Sequence, residues 1–324
     1  DEESPAPVSP LARRASVSVV ADRSYGLPVA LKMLHFLVAM IDPELSSPKI
    51  KRIVGSNGKA REIQALGLRL LDVALKVIGA SLATCDPAVA LIQDDVCKFL
   101  IQTMLRTPSL LSGSLQVFRT LIVYLRPHLK MQIELLFNSV YLRALSGQIK
   151  SPESVEVVLE SLCDVGSIPT LWTELYCNYD CDPKCTNVME NLCKFLSKNT
   201  FPVFIRAEKL HVLGQPQLLS LKSIINGLRF IADRCIIQEA DDAAPQEEGE
   251  VPRAETEPSL SQYLCKKREE KTLRAKVAVA FNAKPKKLLK FLVGHNLVEE
   301  GAEVDVQARE IANFLRYTPM LDKT

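Results

Sequence analysis

Hydrophobic side chains recur at three- and four-residue spacing from Tyr25 to about Cys235, with almost none of the alternation that marks β-strands. This period aligns apolar residues along one face of a helix and therefore predicts a succession of amphipathic α-helices. The segment from Ala60 to Ile78 is apolar over so much of its surface that we expect a central helix covered on both sides. The other predicted helices in this part of the chain span residues 28–41, 87–105, 110–124, 130–145, 152–165, 169–177, 184–197 and 216–236.

Pairs of a polar side chain followed by proline mark three of the predicted helix starts. They are Asp86-Pro87, Ser151-Pro152 and Asp182-Pro183, each with an acceptor at the N-cap and proline at the first helical position. Successive helix pairs of about 40 residues, joined by short turns, predict an all-α fold in the form of an armadillo- or HEAT-like α-solenoid. A compact, irregular helical domain is the alternative.

The charge pattern divides the chain further. The leader, residues 1–23, is rich in Ser, Pro and Ala and is expected to be disordered; it contains Ser16 in a context favoured by basophilic kinases. Residues 24–238 form the predicted helical domain, and residues 239–259 an acidic linker. Basic residues then dominate, and helical patterning resumes in a last region, residues 260–324, with predicted helices over 261–281, 285–293 and 306–316.

The overall composition narrows the function only a little. The net charge of +2 gives no electrostatic reason to expect a nucleic-acid partner. Nine cysteines form an odd set, typical of reduced thiols, and no apolar run approaches the roughly 20 residues of a membrane-spanning helix, so we expect a cytoplasmic protein. The first residue is Asp1 rather than methionine, from which we expect part of a longer protein.

Candidate chemistry is sparse. Cys177, Cys181 and Cys185 recur at four-residue spacing, but no Cys-x-x-Cys turn is present to bring two thiolates together on zinc. No histidine carries a recognisable nucleophile signature beside a cysteine, and no glycine-rich phosphate loop follows a strand. We therefore expect no metal, no cofactor and no catalytic residue. The basic stretch from Lys266 to Lys290 is compatible with anionic lipid or nucleic acid, but a solvated helix face is the favoured interpretation.

Two short stretches are far more specific. The first, here called the box, consists of Asn178, Tyr179, Asp180, Cys181 and Asp182. It closely resembles the Asn-Tyr-Asp-Cys-Asp string in the homology-upstream region of large Arf guanine nucleotide exchange factors. The second stretch is similar to the opening of the Sec-seven-type exchange domain of the same family; this opening motif comprises Phe281, Asn282, Lys284, Pro285, Lys286 and Lys287.

Further similarity, over residues 25–28, 68–75 and 230–234, favours the Golgi branch of brefeldin-resistance-factor, Gea and GNOM proteins. Leu288 departs from the glycine usual after the paired lysines, which puts the helix packing there in doubt. The resemblance implies a regulatory or scaffolding region that helps to place an exchange domain on Golgi membrane. The implied partners are other regulatory domains of the same factor, an Arf-family GTPase bound through the full-length protein, and anionic membrane at the periphery.

The resemblance also implies an absence of exchange activity in this polypeptide. In the family a glutamate in a Phe-Arg-Gly-Leu-Arg-type motif expels magnesium and the β-phosphate of GDP, and these 324 residues contain no such motif. We also expect Phe281, Phe291, Ile311, Phe314 and Leu315 to lack their packing partners. A generic helical scaffold or transport adaptor is the alternative function.

The box itself has two interpretations. As a helix-ending corner it would use Asn178 and Asp180 to bond backbone groups, Tyr179 as an anchor and Asp182 as the cap of the next helix. As an interaction surface it would contact another regulatory domain, as the resemblance implies. The first interpretation is favoured.

Overall fold

The computed structural model describes residues 26–42, 59–205, 210–242, 259–299, 301, 303–319 and 321–322. The predicted leader lies outside these residues, as does most of the predicted acidic linker. The chain divides into two compact units, one ending at Leu129 and the other beginning at Lys130. Helices dominate both units, which confirms the predicted all-α fold class.

The first unit is built from helices that pack on their neighbours. They are α1 (Leu27–Ile41), α2 (Lys59–Ile78), α3 (Asp86–Leu91), α4 (Cys97–Arg106) and α5 (Leu111–Leu125). Short 3-10 turns and one π-helical turn, Ile92–Val96, join the helices from α2 to α5. Helix α2 packs against α1 and α5, and α4 also packs against α5. Neighbour-on-neighbour packing of this kind is what a solenoid-like region requires.

Helix α2 comes very close to α1 at a glycine. A Cβ placed on Gly67 would meet Cγ2 of Ile41 at 2.9 Å and Cβ of Met40 at 3.2 Å. The missing side chain therefore permits this close approach. On the side facing α5, Thr120 donates a hydrogen bond of 2.5 Å to the Asp72 carboxylate.

The expectation that α2 is covered on both sides is wrong. Leu68, Leu71 and Leu75 are buried. Five other large apolar side chains of the helix are exposed, namely Leu66, Leu70, Val73, Val77 and Ile78. Because α1 and α5 leave part of the helix surface uncovered, high overall hydrophobicity did not distinguish a central helix from one with an exposed apolar stripe.

The second unit contains α6 (Lys130–Leu136), α7 (Leu142–Leu145), α8 (Pro152–Gly166), α9 (Leu171–Leu175), α10 (Val188–Asn199) and α11 (Gln215–Asp242). Helix α11 packs on α8, α9 and α10. Gly227 of α11 lies against Trp172, whose indole N–H donates to the Gly166 carbonyl at 2.8 Å. The tryptophan thereby ties α8, α9 and α11 together.

A small β-hairpin interrupts the helices of the second unit. Strands β1 (Val203–Ile205) and β2 (Leu210–Val212) pair antiparallel, with Phe204 opposite His211. Helical periodicity did not predict it. The run Val203-Phe204-Ile205 is rich in β-branched and aromatic residues and carries the signal for a strand.

The last helices of the second unit are α12 (Leu260–Ala283), α13 (Leu288–Gly294) and α14 (Val304–Tyr317). They enclose a small core around Val277, Leu292 and Phe314. Phe314 is 1% exposed and meets Phe281 edge to face, with ring centroids 6.4 Å apart. The expectation that these aromatic side chains lack a core is therefore wrong for Phe314.

The same cluster gives partial cover to other members of that set. Phe281, Phe291 and Ile311 are partly buried against it, whereas Leu315 is 39% exposed. Packing among α12, α13 and α14 thus covers apolar side chains that were expected to lack packing partners.

Of the three predicted proline-marked helix starts, Ser151-Pro152 is confirmed, because the Ser151 hydroxyl accepts the Ser154 N–H at 3.2 Å. Asp86 lies inside the first turn of α3 and makes no side-chain cap. Helix α10 begins at Val188 rather than near Lys184. The reason for this last difference lies in the box.

We predict that Leu71→Ala lowers the free energy of unfolding by about 2–5 kcal/mol, since its side chain is fully buried and truncation leaves a cavity. The neighbouring Leu70→Ala should change it by no more than about 0.5–1 kcal/mol, because Leu70 is 43% exposed. Urea denaturation followed by circular dichroism measures both. Equal losses for the two variants would contradict the one-sided burial of α2.

Candidate functional site

The box lies in a tight turn that follows α9. Residues Tyr176–Asp180 form a π-helical turn, and the Cys181 N–H closes it on the Tyr176 carbonyl at 3.0 Å. The turn buries Tyr179, Asp180 and Cys181, whereas Asn178 is exposed. Single π turns of this kind occur often at functional sites.

Asp180 is the cap of the next helix. One of its carboxylate oxygens accepts the Met189 N–H at 2.8 Å and the other accepts the Glu190 N–H at 2.9 Å. These amides belong to the first turn of α10, where N–H groups have no partner inside the helix. A negative charge there is also favourable to the helix dipole.

The expectation that Asp182 caps this helix is wrong. Its carboxylate accepts the Lys184 N–H at 2.9 Å and forms a local turn, so the chain does not become helical until Val188. The spacing suggested an N-cap, but the side chain bonds the backbone two residues on, as aspartate does in turns.

Asp182 and Tyr179 attach the box to α6. The Asp182 carboxylate forms a salt bridge of 2.5 Å with Lys130, and the Tyr179 hydroxyl donates to the Lys130 carbonyl at 3.0 Å. Partial burial opposes ionisation of Asp182, but the hydrogen bonds from Lys130 and the Lys184 amide outweigh it and lower the pKa of Asp182. Tyr179 is therefore an anchor, as the corner interpretation predicts.

Helix α12 also contacts the box. Arg268 donates to the Asp180 carbonyl at 2.9 Å and to the Glu190 carboxylate at 2.5 Å, and its guanidinium lies 3.8 Å from the Asp180 carboxylate. Lys271, one turn further along α12, donates to the Tyr179 carbonyl at 2.6 Å. The Lys271 side chain is almost completely buried.

Burial makes these charges costly. It raises the pKa of the Asp180 carboxyl, although the two amide hydrogen bonds and the charges of Lys271 and Arg268 act in the opposite direction. It also lowers the pKa of Lys271, against the attraction of Asp180. Each charge offsets part of the cost of burying the other, so loss of one partner leaves an uncompensated buried charge.

The sequence did not predict that α12 supplies Arg268 and Lys271 to the box. The basic stretch was interpreted as a solvated helix face, which holds for Lys266 and Lys276 but not for Lys271. One available signal was Ser259-x-x-Gln262, which forms a capping box and fixes where α12 begins.

The opening motif lies at the far end of α12, apart from the box contacts just described. Phe281 packs in the small core, Asn282 accepts the Asp322 N–H at 3.0 Å, and Pro285–Lys287 form a 3-10 turn. The side chains of Lys284, Lys286 and Lys287 are exposed. Leu288, where the sequence departs from the family pattern, is buried in the small core.

All nine cysteines are free thiols. Four of them are buried, namely Cys97, Cys163, Cys181 and Cys185, and burial raises the pKa of Cys97 and of Cys185 to about 12. Among the described residues, no group of three His, Cys, Asp or Glu side chains is placed to hold a metal ion. No helix within the described ranges has both the length and the apolar character needed to cross a membrane.

The fold and the site define an all-α domain in which a buried turn caps α10 and binds two cations of α12. Comparison with known families specifies the class: the model of the Mon2/Sec7/BIG1-like HUS domain matches residues 27–188, and the chain belongs to this family. This confirms the resemblance to large Arf exchange factors.

Individual relatives agree with that assignment. The chain is 28% identical over 341 residues to the ARF guanine-nucleotide exchange factor GNOM of Arabidopsis thaliana, covering 98% of this chain and 22% of that protein. It is 31% identical over 220 residues to the Golgi-specific brefeldin A-resistance guanine nucleotide exchange factor 1 homolog of Caenorhabditis elegans, covering 65% and 10%. Against the ARF guanine-nucleotide exchange factor 2 of Saccharomyces cerevisiae the identity is 28% over 317 residues, covering 92% and 19%. The chain thus spans about a fifth or less of each relative's length.

We predict that Asp180→Ala lowers the free energy of unfolding by about 3–5 kcal/mol, because it removes the cap of α10 and the carboxylate that most favours the charge of the buried Lys271. Asp182→Ala is the matched control in the same turn. Its partner Lys130 is 41% exposed, so the loss should be only about 1 kcal/mol. Thermal and urea denaturation measure both, and an equal loss would show that the Asp180 charge network contributes nothing beyond capping.

Proposed function

We propose that the chain is a regulatory and scaffolding region of an Arf guanine nucleotide exchange factor that acts in Golgi vesicle transport. The family match and the relatives, which are Arf guanine nucleotide exchange factors and a Golgi-specific exchange factor homolog, support this proposal. The observation that carries it is the binding of α12 by the box, since α12 leads directly into the opening motif.

The contacts explain how the box would act on an exchange domain. Arg268 and Lys271 bond two successive carbonyls of the turn, those of Asp180 and Tyr179, and so fix both the rotation and the axial position of α12. Charge-assisted hydrogen bonds of this kind are roughly twice as strong as neutral ones. The opening motif, carried on the same helix, is thereby held at a defined distance from the box.

In this proposal the partners are those that the resemblance implies. An Arf-family GTPase binds through the full-length protein, other regulatory domains of the same factor contact the helical region, and the protein is cytoplasmic with peripheral attachment to Golgi membrane. The box acts first as a structural clamp for α12. A generic scaffold would explain the helices equally well but gives no reason for the opening motif beyond α12.

We predict that the 324-residue chain does not accelerate nucleotide release from an Arf GTPase. It contains no Phe-Arg-Gly-Leu-Arg-type motif to supply the exchange glutamate. Release of fluorescent GDP from Arf, with and without catalytic amounts of the chain, measures this, and a longer protein that includes the motif is the positive control. Rapid release by the chain alone would disprove the proposal that this region is regulatory and that exchange requires the motif with the glutamate.

We predict that Arg268→Glu releases α12 from the box, because it removes three contacts and places a carboxylate beside Asp180. Hydrogen exchange should show a protection loss of about tenfold or more in α12, as expected when charged hydrogen bonds are lost, with α8 unchanged. Combining it with Glu190→Arg restores one ion pair and should recover part of the protection. Lys276→Glu, an exposed change on the same helix, is the control. Unchanged protection of α12 in Arg268→Glu would rule out the clamp.

A further inference from the structure

A pocket of 480 Å³ lies beside the box in the second unit. One wall is α12, another is the start of α10, and a third is the segment that follows α14. From α12 the lining includes Arg268, Lys271 and Arg274, and from the other walls Glu190 and Thr318. The pocket is large enough to hold a small-molecule ligand.

Two of its lining polar groups lack a partner within the described structure. Thr318 is 4% exposed, and its hydroxyl is buried with no hydrogen bond. The side-chain oxygen of Asn187 is also buried and accepts no hydrogen bond. Buried polar groups in proteins are nearly always hydrogen-bonded, so an unpaired hydroxyl lining a pocket points to a missing partner.

Two cations that line the pocket have N–H groups with no acceptor in the described structure. Lys271 gives one hydrogen bond to the Tyr179 carbonyl, and its other two N–H groups meet no acceptor among the described residues. Arg274 donates to Glu270 through Nε, and its two terminal nitrogens likewise meet no acceptor among the described residues. Glu190 is the carboxylate in the lining, and Arg268 and Asn187 already engage it. Asp180 and Glu270 also lie beside these cations, so what the pocket offers a ligand is the unused N–H groups of Lys271 and Arg274 rather than an excess of positive charge.

We propose that this pocket binds a small phosphate-bearing polyanion of the inositol phosphate class, either free or as the headgroup of a membrane lipid. The terminal nitrogens of Arg274 suit a phosphate group in bidentate geometry, the buried Lys271 supplies a point charge, and the Thr318 hydroxyl donates a neutral hydrogen bond. The volume accommodates more than one phosphate. This proposal goes beyond the regulatory role above and does not depend on it.

The first experiment titrates the full chain with inositol hexakisphosphate by calorimetry. Arg274→Gln and Thr318→Val should each weaken binding by about tenfold or more, the effect of removing one hydrogen bond to a charged group. Lys276→Gln removes a charge from the same helix outside the pocket and should leave the affinity within about twofold of the parent, as for any exposed distant charge.

Stability measurements separate this role from a structural one. Without ligand, Thr318→Val should melt at or above the parent temperature, because it removes an unpaired buried hydroxyl, and Arg274→Gln should melt close to the parent. Reduced melting temperatures matching the loss of binding would assign the effect to misfolding and overturn the proposal. Equal weakening by Lys276→Gln would show nonspecific charge attraction and overturn it as well.

The second experiment distinguishes the source of the phosphate. Flotation with phosphatidylcholine vesicles, with and without phosphatidylinositol 4-phosphate, tests the lipid headgroup in the same variants. Binding to the charged vesicles that requires Arg274 and Thr318 supports a lipid, and binding of the free polyanion alone supports a soluble one. Binding of neither, or binding only of an acidic phosphopeptide, would refute the proposal.

Discussion

The carboxylate of Asp180 is the interaction on which the described geometry of the box depends. It is buried on the last residue of the π turn, it caps α10 through two amides, and it supplies the negative charge beside which Arg268 and Lys271 lie. Removing this charge would weaken the contacts of the π turn, of α10 and of α12 at once. A buried ion network contributes little net stability compared with apolar packing, but it is intolerant of altered partners and so specifies one arrangement.

The same network explains why α12 can rest on the box without a large apolar interface. Helix α12 carries exposed Leu260, Tyr263 and Val279, and its contacts with the turn are made by cations to carbonyl oxygens. Apolar packing is concentrated at its other end, around Val277 and Phe314. Polar contacts of fixed geometry position a helix precisely, whereas apolar contacts tolerate sliding.

The helices could be predicted from the sequence because their period is local information, and α1, α2, α5 and α8 begin and end within a residue or so of expectation. The box residues were identified from their resemblance to a string found in a known family, and the anchoring role of Tyr179 from the turn-forming residues around it. What could not be predicted depends on distant partners. Asp180 bonds amides nine and ten residues away, and Lys271 bonds a carbonyl 92 residues away. Charge composition alone cannot tell a buried lysine from its solvated neighbours.

The capping box at Ser259 and Gln262 gives α12 a fixed first residue. An α-helix turns by about 100° per residue, so one inserted or deleted residue between Ser259 and Arg268 would rotate both cations away from the turn. Substitutions on the exposed face of this interval leave the phase of the helix unchanged. Selection on this stretch would therefore preserve the number of residues between Ser259 and Arg268 more strictly than the identity of those residues.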